Sequence, residues 1–235
     1  MNPITPHAIS KLAPRRSPKL LLGCAIAIAS LSGAAIAQTS PAAQPSQNDK
    51  EYLLYLPSNS QEVDHAAIIE AFIDQGYEVS TYAYAGENQL DYARRIADEV
   101  RNLMDQGVAP ENINVVGGGT GSAITLLTSA AVGNRHVDYV VLGNCDDTLK
   151  TQYRFRVAGN VLGISDVADS SSRSCRPFWT SAPKLRNRRD LVLDTGYGAA
   201  LFDTARDEWM RPMVSWTRGG QVDVGATKVA AVPSE

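Results

Sequence analysis

A three-layer α/β/α sandwich around a mostly parallel sheet is predicted from the alternation of strand-like and helix-like segments. Residues 52–56 form a nearly continuous apolar run, as expected of a strand that is buried on both faces. Residues 90–106 carry apolar side chains at helical spacing, which indicates an amphipathic helix packed against such a sheet. Right-handed crossovers between parallel strands then place helices on both sides of the sheet.

The other elements follow the same alternation along the chain. Strands are predicted at 52–56, 78–84, 113–116, 137–142, 161–164 and 189–194. Helices are predicted at 63–75, at 90–106, directly after Gly121, and at 198–216, where Pro212 is expected to produce a kink. The segment 146–158 has no clear period, and 177–187 is interpreted as irregular or as a short helix.

The first 37 residues have the order of a secretory signal peptide. A basic stretch at 11–19 precedes the apolar run 20–28, and Ala35-Ile36-Ala37 supplies a cleavage site. A membrane anchor would need an unbroken apolar run, whereas polar and small residues interrupt this one at 30–33. The chain is therefore expected to be exported, to the periplasm or outside the cell, with no membrane attachment after cleavage. The predicted organisation is a signal peptide at 1–37, a flexible leader at 38–50, an α/β domain at 51–218 and a disordered tail at 219–235.

Charge and cysteine content restrict the possible partners. The chain without its signal peptide carries 18 Lys and Arg against 25 Asp and Glu, which disfavours nucleic acid or an anionic membrane surface as the partner. Its two cysteines, Cys145 and Cys175, are predicted to form a disulfide in an oxidising compartment. With no third cysteine and few histidines, neither a metal site nor a bound cofactor is predicted.

A glycine cluster joins the central strand to the helix that follows it. Gly117-Gly118-Gly119-Thr120-Gly121 has the outer glycines of the nucleophile elbow G-x-S-x-G, in which a sharp strand-to-helix turn presents a serine. The central position is glycine here. In a parallel sheet the carboxyl ends of the strands meet at one edge, so loops 57–63, 117–121, 165–175 and 195–199 are expected to converge there.

From about residue 52 to residue 216, the chain resembles the α/β-hydrolase superfamily, in particular its small exported bacterial members. In those proteins the first strand ends in Tyr-Leu-His-Gly, a serine stands at the elbow, an acid in a Ser-Asp pair precedes a cysteine, and a late Gly-His-Gly carries the histidine. The resemblance implies an α/β-hydrolase-like fold. Its framework is matched by Val115-Val116-Gly117, Tyr139-Val140-Val141-Leu142, Val161-Leu162, Asp169, Cys175, Leu193-Asp194-Thr195-Gly196-Tyr197-Gly198 and Glu208-Trp209.

The same resemblance places the catalytic positions on residues that lack the required side chains. Gly119 stands at the nucleophile position and Ala199 at the histidine position, so neither can attack a substrate or accept a proton. Pro57-Ser58 replaces His-Gly in the oxyanion loop, and proline has no backbone N–H to donate. Asp169 aligns with the acid, although an aspartate in a polar loop is also typical of a turn.

These replacements predict an exported protein that keeps the cleft, lacks hydrolase chemistry and has a small molecule or a protein as its partner. In a catalytic triad the residues act as a unit, so losing two of them removes the mechanism. The alternative is an ester or amide hydrolase with non-standard residues. Its candidate nucleophiles are Thr120 and Ser122, and its candidate base is His65, in the first helical turn after the oxyanion loop.

Two further features suggest ligands without defining one. The glycine cluster resembles an anion-binding loop, but Ser122 stands where the fingerprint G-x-G-x-x-G needs its last glycine and no lysine follows, so nucleotide binding is disfavoured. A basic and aromatic segment at 153–156 and 173–189 suits either an anionic or aromatic ligand, or a solvated connection held by the disulfide.

Overall fold

The computed structural model describes residues 50–219 and 221–230. The predicted signal peptide at 1–37 and residues 38–49 of the predicted leader lie outside the described residues.

One six-stranded sheet forms the centre of the molecule, and every pairing between its strands is parallel. The strand order is β2-β1-β3-β4-β5-β6, so β2 and β6 are the edges. This arrangement confirms the predicted α/β class and its mostly parallel sheet. The strands are β1 (Glu51–Leu56), β2 (Tyr77–Thr81), β3 (Ile113–Gly118), β4 (Asp138–Leu142), β5 (Gly159–Asp166) and β6 (Leu185–Leu193).

Helices cover both faces of the sheet because neighbouring strand residues point to opposite sides. In β1, Leu53 and Tyr55 belong to one apolar core, while Leu54 and Leu56 belong to the other.

In the part of the chain that the structure describes, no helix has the length and apolar character needed to cross a membrane. The α-helices are α1 (His65–Asp74), α2 (Gln89–Asp105), α3 (Thr120–Val132), α4 (Thr148–Tyr153) and α5 (Asp207–Thr217), and 3₁₀ turns occupy Pro110–Asn112, Arg176–Phe178 and Gly198–Phe202.

The predicted helix at 198–216 is wrong in one respect, because the structure divides it into the 3₁₀ turn Gly198–Phe202 and helix α5. The intervening carbonyl groups bond outside a helical ladder. The Asp203 carbonyl accepts from the Asp64 N–H at 2.7 Å, and the Thr204 carbonyl accepts from the Trp209 indole at 2.9 Å. Tertiary contacts thus take the acceptors that a continuous helix would need.

Residues 221–230 differ from the disordered tail that the sequence predicts at 219–235. Val229 forms an antiparallel bridge with Leu193 at the end of β6. The Ala230 N–H donates to the Val192 carbonyl at 2.8 Å, and the Asp194 N–H donates to the Lys228 carbonyl at 2.9 Å. An edge strand offers unpaired backbone groups, and this short segment satisfies some of them.

The predicted disulfide between Cys145 and Cys175 is present, with the two Cα atoms 4.9 Å apart. Both cysteines are buried against β5. A Cβ placed on Gly163 of that strand would lie 2.5 Å from the Cys175 sulfur, so the glycine makes room for the bridge. The disulfide therefore anchors the loop after β5 to the loop after β4.

Replacing both cysteines in a Cys145→Ala/Cys175→Ala variant should lower the free energy of unfolding by about 3–4 kcal/mol, because the bridge restricts the unfolded chain. Denaturant unfolding of the oxidised protein and the double variant measures this difference. The reduced wild-type protein is the control and should match the variant. Equal stability of the oxidised protein and the variant would contradict a stabilising bridge.

A row of polar side chains crosses the sheet near the amino ends of its strands. Asn114 of β3 pairs in register with Asp138 of β4, which pairs with Asn160 of β5. All three side chains are buried. The Asn114 amide donates to the Glu51 carboxylate at 3.1 Å, which extends the row to β1. This row lies at the edge opposite the predicted site.

Burial raises the pKa of Asp138 to about 8, and the nearby carboxylates of Glu51 and Glu111 act in the same direction. A hydrogen bond from Asn160 and the charge of Arg186 oppose this shift only in part. Between about pH 4 and pH 8 the folded protein therefore holds a proton that the unfolded chain releases. It follows that this group makes the folded state less stable as the pH rises through that interval.

The variant Asp138→Asn should be more stable than the wild type at pH 8 and should lose less stability between pH 4 and pH 8. The difference should amount to several kcal/mol, since one pKa unit corresponds to about 1.4 kcal/mol. Denaturant titrations across that range measure it. Asp105→Asn, at an exposed position near the end of α2, is the matched control and should leave the curve parallel to that of the wild type. Parallel curves for Asp138→Asn as well would contradict a proton held at Asp138.

Candidate functional site

A cleft of about 660 Å³ opens at the carboxyl edge of the sheet. All four loops expected to converge there contribute to its lining, through Ser58, Gly119, Asp169 and Ala199. The cleft is therefore built as the parallel sheet requires, around the turn between β3 and α3.

That turn keeps the sharp conformation of a nucleophile elbow. Gly119 has φ 55° and ψ −118°, a backbone conformation that side chains of L-residues disfavour. Its outer glycines are required by close contacts. A Cβ on Gly117 would lie 2.3 Å from the Gly121 carbonyl oxygen, and a Cβ on Gly121 would lie 2.2 Å from the Leu56 carbonyl oxygen. The elbow is thus intact, although its centre carries no side chain.

Ser58 occupies the space above Gly119. A Cβ built on Gly119 would lie 2.5 Å from the Ser58 hydroxyl oxygen and 3.0 Å from the Ser58 Cβ. The Ser58 hydroxyl accepts a hydrogen bond from the Ser60 N–H at 3.1 Å. The oxyanion-loop position therefore covers the place from which a nucleophile would project, directly after Pro57, which has no N–H.

His65 holds the Ser58 loop through both of its ring nitrogens. Nε2 lies 3.0 Å from the Ser58 carbonyl oxygen, and Nδ1 lies 3.0 Å from the Tyr55 hydroxyl. A carbonyl only accepts, so Nε2 carries a proton, and in this tautomer of the uncharged ring Nδ1 accepts from the Tyr55 hydroxyl. Burial raises the pKa of Tyr55 well above its usual range, which keeps this hydroxyl protonated. The lone pair that a general base would use is thus engaged.

The two candidate nucleophiles that follow Gly119, Thr120 and Ser122, have their hydroxyl groups outside the cleft. Ser122 is buried and its hydroxyl donates to the Leu142 carbonyl at 2.7 Å. Thr120 lines a separate, smaller pocket that also contains Tyr84 and Tyr92. The structure therefore brings neither hydroxyl to His65.

Asp169 lines the cleft, but its carboxylate bonds within its own loop. It accepts from the Ser171 N–H at 2.9 Å and from the Ser171 hydroxyl at 2.6 Å, the pattern of an Asx turn. The turn interpretation thus describes these contacts better than an acid that orients a partner across the cleft.

Asp166 meets the geometric requirement for the acid, and sequence reasoning missed it. Its carboxylate accepts from the N–H groups of Ala168 at 2.9 Å, Thr195 at 3.0 Å and Gly198 at 3.3 Å, next to Ala199. Burial opposes ionisation, but these bonds and one from the Thr195 hydroxyl hold the pKa of Asp166 below its usual range. The sequence signal for Asp166 was its position, since Ser165-Asp166 directly follows the apolar strand predicted at 161–164, and in the structure the pair ends β5.

No imidazole stands beside this acid in the described part of the chain. Ala199 presents an exposed methyl group at the cleft. His136 lies just before β4, at the opposite edge of the sheet, where its Nδ1 is 2.7 Å from Glu111 Oε1. The acid position thus retains its hydrogen bonds to the loop, while the proton acceptor it would orient is absent.

The cleft is acidic and contains aromatic rings. Carboxylates of Glu62, Asp169 and Asp203 line it, and the described lining residues include no Lys, Arg or His. Tyr197 and Phe202 add ring surface. These groups favour a neutral or positively charged ligand over an anion. Within the described ranges, no group of three or more His, Cys, Asp or Glu side chains is arranged to hold a metal ion.

No protein-family model and no curated protein matches this chain. Among solved structures it is similar to one described as esterase PE8, with 15% identity, a TM-score of 0.41, and coverage of 62% of this chain and 83% of that chain. It is also similar to RedJ, in a structure with a PEG molecule bound in the active site, with 14% identity, a TM-score of 0.45, and coverage of 77% and 94%. At these scores neither similarity informs function. The wholly parallel sheet and the sharp turn at Gly119 match the α/β-hydrolase-like fold that the sequence predicts.

A Gly119→Ser substitution should destabilise the fold by about 1–3 kcal/mol, because it places a side chain at positive φ and against Ser58. Ser58→Gly in the same chain should restore the part due to the contact, so the two effects should not add. Denaturant unfolding of the wild type, both single variants and the double variant measures this coupling. Gly119→Ala with and without Ser58→Gly is the matched control for the added hydroxyl. Additive effects would show that Ser58 does not fill this space.

Proposed function

We propose that the protein is an exported, non-catalytic member of the α/β-hydrolase-like folds that binds a small ligand in its cleft. The observation that carries the proposal is the elbow, where Gly119 has no nucleophile and Ser58 covers the position. The predicted signal peptide and the disulfide support export to the periplasm or outside the cell, because disulfides persist in oxidising compartments.

Acyl transfer needs a nucleophile, a base that accepts its proton and donors for the oxyanion. For each of these requirements, the cleft lacks a group at the expected position. Position 119 has no hydroxyl, position 199 has no imidazole, and Pro57 offers no N–H. His65 is engaged by Tyr55 and by the Ser58 carbonyl. Because the members of a triad act together, binding is the capacity that the remaining groups support.

The cleft offers hydrogen-bond partners suited to a neutral, hydroxyl-rich molecule or to an amine. Asn144 lines it, and its Oδ1 atom is buried without a partner among the described residues, so it would accept from a ligand donor only after the side chain turns toward the cleft. Ser170 and Ser171 add hydroxyls. The aromatic rings of Tyr197 and Phe202 add apolar surface for a sugar ring, and the guanidinium of Arg206 already lies 4.0 Å from the centre of the Tyr197 ring. The partner we propose is therefore a small molecule without a net negative charge.

An ester or amide hydrolase with non-standard residues remains the second candidate, and one observation favours it. The Ser58 hydroxyl lies at the elbow, close to where the missing nucleophile would project, and His65 contacts the same residue. For this mechanism His65 would have to exchange the Ser58 carbonyl for the Ser58 hydroxyl. Thr120 and Ser122 do not have this placement.

A serine-directed fluorophosphonate distinguishes the two candidates. We expect no labelling of the folded wild-type domain, and no ester hydrolysis by Gly119→Ser, because that variant still lacks a base. Mass spectrometry of the labelled protein and a chromogenic ester assay measure both, with an active serine esterase as the positive control. Stoichiometric labelling that Ser58→Ala abolishes would reject the non-catalytic proposal in favour of the second candidate. Turnover by Gly119→Ser would show that a base is present.

A further inference from the structure

Positive charge is concentrated in one part of the sequence. Residues 150–189 contain nine Lys and Arg but only two acidic residues, Asp166 and Asp169. None of these nine side chains forms an ion pair with a described carboxylate, whereas six of the nine other described Lys and Arg do. No direct ion pair therefore neutralises this charge, although the charge of Arg186 acts on the buried Asp138.

Part of this charge lies on the edge strand β6, where Arg186, Arg188 and Arg189 are exposed. Two of these side chains contact neighbouring elements. The Arg188 guanidinium lies 6.0 Å from the centre of the Trp179 ring, and Arg186 Nη1 lies 2.9 Å from His136 Nδ1. The arginines therefore flank the open edge of the sheet.

The hydrogen-bond pattern shows which backbone groups of β6 point outward. The Leu193 carbonyl accepts from Val167 on the β5 side, at 2.8 Å, while the Val192 carbonyl accepts from Ala230 on the outer side. Because the direction alternates along a strand, the backbone groups of Arg188 and Asp190 also face outward. The alternation does not extend to Arg186, where the register with β5 shifts between Gly159 and Asn160. On this outer side no strand of the described ranges pairs with Arg188 or Asp190, because β6 is the edge of the sheet and its bridge to Val229 lies at Leu193.

We propose that the edge of β6 from Arg188 to Asp190 binds an extended acidic polypeptide segment of a partner protein as an added strand. The outward N–H and C=O groups supply the main-chain bonds, and the arginines without an ion pair select for acidic side chains. The segment 228–230 already pairs in this manner two residues further along, so the edge has the geometry to accept a strand.

Arginines on an edge strand also prevent the edges of two copies from pairing, because like charges repel. This protective effect and the proposed binding are compatible, since the same side chains attract an acidic strand. The proposal concerns a surface separate from the cleft. It therefore holds whether the cleft is catalytic or not.

The test uses the signal-free protein and a short, fluorescent peptide of alternating Glu and Thr residues, with binding measured by fluorescence anisotropy. Arg188→Thr and Arg188→Pro remove the same charge, but threonine keeps the backbone N–H and proline lacks it. Because the N–H of residue 188 faces outward, its loss breaks no hydrogen bond to β5. We expect the threonine variant to weaken binding by about two- to fivefold. The proline variant should lose a further factor of about ten.

An otherwise identical peptide that is N-methylated at alternate residues gives the same readout without changing the protein, in case Arg188→Pro does not fold. Two such peptides are made, one methylated at the odd and one at the even positions. The peptide whose methyl groups replace the N–H groups that face β6 should bind at least about tenfold more weakly than the unmodified peptide. Arg94→Thr, on the exposed face of α2, is the charge-matched control and should bind like the wild type.

Three results would overturn the proposal. The first is no binding of the acidic peptide at low salt. The second is equal binding by the proline and threonine variants together with equal binding of the N-methylated peptides. The third is that polyphosphate or single-stranded DNA binds at least as tightly as the peptide, and that Arg188→Pro weakens the binding of neither these anions nor the peptide more than Arg188→Thr does. That result would indicate a site for anions in general.

Discussion

The close approach of β1, β3 and α3 is the constraint on which this molecule depends. Gly121 lies under the Leu56 carbonyl, and Gly117 lies against the first turn of α3, so neither position has room for a Cβ. These contacts fix the sharp turn at Gly119 whether or not that residue performs chemistry. A fold of this kind can lose its nucleophile and retain its elbow, because packing, and not catalysis, requires the outer glycines.

Residue types that often serve catalysis hold loops in this structure. His65 connects Tyr55 with the Ser58 carbonyl, and Asp166 gathers N–H groups from the loop that carries Ala199. Such bonds satisfy polar groups of the loops around the cleft and restrict the conformations that these loops can adopt. A cleft ordered in advance loses less entropy when a ligand binds, which is consistent with a binding role.

The two surfaces that we interpret differ in charge and in the kind of contact they offer. The cleft is lined by carboxylates, hydroxyls and aromatic rings, which suit a small molecule without negative charge. The edge of β6 offers backbone groups flanked by arginines, which suit an acidic polypeptide. Because opposite charges lie on separate elements, one partner does not exclude the other on electrostatic grounds.

Local features of the sequence determined the order of strands and helices, the disulfide and the missing nucleophile, since apolar periodicity, a count of two cysteines and a glycine at the elbow are visible without coordinates. Contacts between distant residues decided the rest. Asp166 and Asp169 are three positions apart, and only the bonds from Thr195 and Gly198 show which carboxylate holds the Ala199 loop. Likewise Ser58 covers Gly119, and 228–230 pair with β6, because the folded chain brings together segments that no local pattern relates.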